Sequence, residues 1–152
     1  MLVSVLLLSL LQSAPTGDTP LVPNEQARYL AASLEERLNL LVDVTERYRA
    51  ELAARSRAHA YLEADRLLSQ YTLLLEMIGD NVQQLPEEKR RRSKPLRKLE
   101  IELRRMIEDL QGARRNAPWD AQELFDNPLR QSESVRATIL QLIFGKGLLK
   151  GK

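Results

Sequence analysis

The sequence predicts an all-α protein: a long N-terminal helix with later helices folded back antiparallel, as a helical hairpin or bundle with coiled-coil-like seams. Three observations carry this expectation. Leu, Ala, Glu, Arg and Gln dominate the middle of the chain, and they form helices readily. The six glycines and seven prolines sit mostly near the ends or at a few punctuation points. Val, Ile, Thr and the aromatics never gather into the period-two alternation of a strand. With 152 residues, 43% hydrophobic and 29% charged, the chain has room for one domain and is too apolar for disorder.

The N-terminus reads separately from the rest. Met1-Leu2-Val3-Ser4-Val5-Leu6-Leu7-Leu8-Ser9-Leu10-Leu11 carries no charged side chain. Such a run is too short to span a bilayer, which needs ~20 residues. It has the length of the apolar region of a signal peptide, and the Pro-rich stretch Gln12 to Pro20 suits a cleavage region and spacer. Residues 1–23 are therefore expected to be a signal peptide and spacer, and the protein to be exported, periplasmic or secreted. A native helix in a cytoplasmic protein is the alternative. Arginine outnumbers lysine 17 to 6, a composition common in GC-rich bacterial genomes.

Residues 24–145 are expected to form a single helical domain, followed by a basic tail over 146–152. From Asn24 to Ile78 there is no Gly or Pro, with Asn24 as the expected cap and Gly79-Asp80-Asn81 as the stop. A continuous helix there would be on the order of 80 Å long. Leu30, Leu34, Leu38, Leu41, Tyr48 and Leu52, then Ala60, Ala64, Leu67, Tyr71, Leu74 and Ile78, follow three-four spacing, and the stripe fades over 54–59. A second helix starts near Pro86 or Ser93 and ends near Gly112. Its seam is Leu96, Leu99, Leu103, Met106 and Leu110, with Glu100 and Arg104 as an i,i+4 pair. Pro118 to Phe125 reads as a short helix with Trp119 as a core plug. Asn127-Pro128 opens a last helix that buries Val135, Ile139, Leu142 and Ile143 and stops at Gly145. A second copy of the chain is the alternative cover for these stripes, as a homo-oligomer. Net charges of −3 over 24–80 and +5 over 81–117 favour intramolecular packing.

The functional signals are few. Lys89, Arg90, Arg91, Arg92, Lys94, Arg97 and Lys98 place seven cations in ten residues near a helix start, where they oppose the helix dipole. They are the candidate binding residues, for an acidic partner, lipid headgroups or nucleic acid, with weak salt-sensitive polyanion binding expected. No aromatic interrupts them, so the stacking platform for single-stranded nucleic acid is missing. The competing reading is a solvated helix start that balances the acidic long helix.

Chemistry has little to work with. Without cysteine there is no thiolate or Cys-bound metal. His59 is the single histidine, and Glu63 one turn on makes two ligands at most. No G-x-S-x-G elbow or phosphate-binding glycine loop occurs. The sequence thus points to no enzyme, no cofactor and no small-molecule substrate, but to a helical protein that binds a protein or cell-envelope partner. The alternative is a cytoplasmic module that binds nucleic acid or an acidic partner through 89–98. In layout the chain resembles small periplasmic helical chaperones. Their Leu-Thr-x-x-Gln signature is missing, with Trp119-Asp120-Ala121-Gln122 the nearest stretch, and no family is assigned.

Overall fold

The computed structural model describes residues 19–145, which are 83% helical and contain no strand. Six α-helices follow one another: α1 (Pro23–Ala31), α2 (Leu34–Arg57), α3 (Tyr61–Gln83), α4 (Glu87–Arg90), α5 (Lys94–Asn116) and α6 (Asp126–Phe144). A turn of 3-10 helix, Gln122–Phe125, leads directly into α6. The residues read as the apolar signal run and the basic tail 146–152 lie outside the described residues.

The expected continuous helix over 24–78 is three helices, broken twice without Gly or Pro. Ser33-Leu34-Glu35-Glu36 is a capping box. The Ser33 hydroxyl accepts from the Glu36 N–H at 3.3 Å, and the Glu36 carboxylate accepts from the Ser33 N–H at 3.0 Å. The second break is a Schellman turn at the weak patch. The Ala60 N–H reaches the Arg55 carbonyl at 2.9 Å and the His59 N–H reaches the Ser56 carbonyl at 3.2 Å. His59 itself takes the left-handed conformation, φ 54°, which glycine usually supplies.

Two expected stops are passed instead. α3 continues through Gly79 to Gln83, and α5 through Gly112 to Asn116. In both cases the apolar stripe goes on past the glycine: Val82 and Leu85 after the first, Ala117 after the second, all buried. Burial of Val82 and Leu85 at ~1.5–3 kcal/mol each outweighs the ~1 kcal/mol cost of Gly79 in the helix. Gly145 is a true stop, with φ 80°.

Four long helices form the bundle. α2 packs on α3 and α5, and α6 packs on α3 and α5. α3 folds back antiparallel along α2. α5 then runs in the same direction as α2, since Leu34 and Leu38 share a cleft with Ser93 and Lys94, while Leu52 and Ser56 share one with Leu110 and Ala113. α6 returns antiparallel along α5, pinned by Arg114–Asp126 at 2.7 Å and Arg136–Glu100 at 2.9 Å. Glu100 thus pairs across helices, and not with Arg104 as its spacing suggests. The result is two hairpins side by side, with α4 carrying the chain across one end.

One continuous core runs between them. Leu38, Leu41, Leu52, Leu74, Leu99, Leu103, Met106, Leu110 and Ile139 are buried in it as their spacing predicts, and Leu67 and Leu142 pack at its edge. Leu30, counted in the stripe, is exposed, because α1 is a separate helix with a different face inward. Trp119 is not a core plug: it is 86% exposed, whereas Phe125 is fully buried. A turn closed by the Ala121 N–H on the Pro118 carbonyl (2.9 Å) brings Ala121 and Phe125 inward and leaves Trp119 outside.

The folded part begins before residue 24. Leu21 is 2% exposed and belongs to the core. The Pro20 carbonyl accepts from Tyr48 Oη at 2.7 Å and from Arg47 Nη2 at 3.2 Å, and Glu25 forms an ion pair with Arg47 at 2.6 Å.

Candidate basic binding surface

The seven cations of the basic run gather where α3 hands over to α5, at the end of the bundle that also holds the start of α2 and the end of α6. The elbow is α4, the turn Arg91-Arg92 and the first turn of α5. Pro86 and Pro95 sit in first-turn or cap positions, and the Ser93 hydroxyl caps α5 by accepting from the Leu96 N–H at 3.2 Å. Pro95, Leu96 and Leu99 point into the core, which turns the intervening charges outward.

The seven do not share one role. Arg90 Nε donates to the Leu85 carbonyl at 3.0 Å, and Arg97 Nη2 donates to the Arg91 carbonyl at 2.7 Å. These two hold the elbow's backbone. Lys89, Arg91, Arg92, Lys94 and Lys98 are exposed. Among the described residues, no ion pair involves any of the seven.

The expected counter-charge from the acidic N-terminal helices is therefore absent from the observed pairs. The ion pairs between α2 and α5 have the opposite polarity. Arg49 of α2 meets Glu102 of α5 at 2.7 Å and Asp109 at 3.1 Å, and Arg105 holds the other Glu102 oxygen at 2.8 Å. Net charge per segment could not reveal this, because the pairing depends on which helix faces turn inward.

Beside the elbow lies a cleft of about 560 Å³ between the start of α2 and the α4–α5 connection. Its floor is apolar, with Leu38 and Leu85 buried and Leu34 partly so. Lys89, Arg92 and Lys94 stand at its rim, with Glu35 and Glu88. A second groove, between the C-terminal halves of α2 and α5, contains the buried Ser56 hydroxyl, which has no hydrogen-bond partner. Two of the charges there, Arg49 and Asp109, pair with each other.

The groups that could suggest catalysis are dispersed or occupied. His59 is exposed, with Nδ1 3.3 Å from Tyr61 Oη, while Glu63 pairs with Arg55 at 3.3 Å. Among the described residues, no group of three or more His, Asp or Glu side chains is arranged to hold a metal ion. Tyr71 is buried, and burial pushes its phenol well above the ordinary tyrosine range. Its hydroxyl lies 2.7 Å from Ser132 Oγ, which donates its own proton to the Pro128 carbonyl at 2.7 Å. Tyr71 must therefore donate to Ser132, a satisfied structural chain with no local signal in the sequence.

Searches for a matching protein family, a matching curated protein and a matching solved structure each find none.

Proposed function

We propose that this is a non-enzymatic binding protein, exported from its cell, that engages an anionic protein or envelope partner through the basic end of the bundle. The observation that carries the reading is the set of five exposed cations at the elbow whose side chains make no hydrogen bond or ion pair among the described residues: Lys89, Arg91, Arg92, Lys94 and Lys98. Like charges held together on a rigid elbow repel one another, and an external anion relieves that repulsion. The dispersed carboxylates and the solvent-facing His59 support a role in binding over one in catalysis.

The test is binding of the purified chain to an immobilised polyanion across a salt series. Affinity should fall steeply with salt, and Arg91→Gln with Arg92→Gln should weaken it while helicity stays unchanged. Loss of thermal stability with unchanged polyanion binding would make the run a structural feature and remove the proposal. N-terminal sequencing of the protein from its native cell tests export: a start between residues 12 and 19 supports it, and an intact Met1 favours the cytoplasmic nucleic-acid reading.

A further inference from the structure

The anion that the basic end meets can be narrowed by what else lies at that end. α6 descends antiparallel to α5 and packs against α4, so its last residue, Phe144, lies at the same end as the elbow. Phe144 is 51% exposed. The end of the bundle thus combines exposed cations, an exposed aromatic ring and an apolar-floored cleft with a cationic rim.

We propose that this end face docks on an anionic lipid bilayer, with Phe144 entering the interfacial region and headgroup phosphates meeting Lys89, Arg92 and Lys94 at the mouth of the cleft. This rests on the reading of the basic end as an anion contact and names its partner. A bilayer fits better than nucleic acid for two reasons. Aromatic stacking residues are missing from the run itself, and exposed apolar groups beside cations gain nothing from a phosphodiester backbone, whereas they bury area in a headgroup layer. The acids at this end, Glu35, Glu36, Glu87 and Glu88, are outnumbered by the seven cations of the run. Glu36 is engaged in the capping box, while Glu35 and Glu88 share the mouth of the cleft with Lys89, Arg92 and Lys94. No helix among the described residues is long and apolar enough to cross a membrane, so docking is peripheral.

Trp119 provides an internal control, because it sits on the loop joining α5 to α6, at the opposite end of the bundle. The experiment is flotation of the full chain with vesicles of phosphatidylcholine alone, or of phosphatidylcholine mixed with phosphatidylglycerol, alongside binding to heparin. Selective flotation with the anionic vesicles is expected, weakening about fivefold for each of Arg92→Gln and Lys94→Gln. In the double variant Trp119→Phe, Phe144→Trp, tryptophan emission should shift to the blue on anionic vesicles, while the native Trp119 emission in the unchanged chain should not move. Two results overturn the membrane inference and leave the anion contact standing: heparin binding without flotation, or flotation with a blue shift of the native Trp119 and none at position 144. Absence of both heparin binding and flotation overturns both readings.

Discussion

Two tyrosines at the centre of the bundle, Tyr48 and Tyr71, stand with ring centroids 6.1 Å apart and set its response to alkali. Burial is the main cause that raises the Tyr48 phenol from its ordinary value of 10.0 to about 12, with Arg47 pulling the other way. The folded state therefore holds this proton more tightly than the unfolded chain does. The resulting stabilisation is fully present below pH 10 and is lost as pH rises through about 12. Unfolding free energy measured by denaturant titration should fall across that window in the unchanged chain and fall less in Tyr48→Phe. At neutral pH the same variant should cost about 1 kcal/mol for the lost bond to the Pro20 carbonyl. Glu102 offers a second test at this scale. Its side chain is only 5% exposed and is held by Arg49 and Arg105. Arg49→Met leaves that carboxylate buried and half neutralised, at a cost of about 3 kcal/mol. Combining it with Glu102→Leu should recover most of the loss, since no buried charge is then left behind: Arg105 and Asp109 are both exposed. A double variant no more stable than Arg49→Met would show that shape at this contact matters more than charge.

At the level of elements, the two helical glycines record a contest between propensity and packing. A Cβ at Gly79 would meet nothing within 4 Å, and one at Gly112 would meet only Arg115 Nη2 at 3.9 Å. Neither glycine is needed for backbone geometry or close approach. Gly79→Ala and Gly112→Ala should each raise stability by about 0.5–1 kcal/mol, seen as a higher denaturation midpoint. A drop at either site would mean that the helix needs local flexibility there. The breaks that do occur are set by capping chemistry. The S-x-x-E spacing of Ser33 and Glu36 is the signal that the expectation of a continuous helix passed over, because no Gly or Pro marks that break. The Schellman turn was not legible, because a histidine at a left-handed position gives no compositional sign and only a fading apolar stripe marked the place.

Across the whole molecule, stability comes from one core to which all four long helices contribute. Leu103 is fully buried in it. Leu103→Ala should cost about 2–5 kcal/mol by chemical denaturation, the range for cavities left by buried leucines. The loss should come as one cooperative transition, because α5 touches both α2 and α6. If separate transitions appeared, the two hairpins would be independent folding units. The candidate surface belongs to this scale too. Its cations are consecutive in sequence and were named there, but the cleft, Phe144 and the start of α2 join them only through the bundle's topology.

The sequence by itself determined the helical class, the seams, the Ser93 cap, the Gly145 stop and the position of the basic run. Each of these depends on local propensity, periodicity or charge within a few turns of chain. Only the tertiary structure decided the rest. It turned Trp119 outward and Phe125 inward, carried α3 past Gly79, paired Arg49 with Glu102, and drew Leu21 into the core. In each case the deciding term is burial or pairing between residues far apart in sequence, and a local pattern cannot say which faces meet.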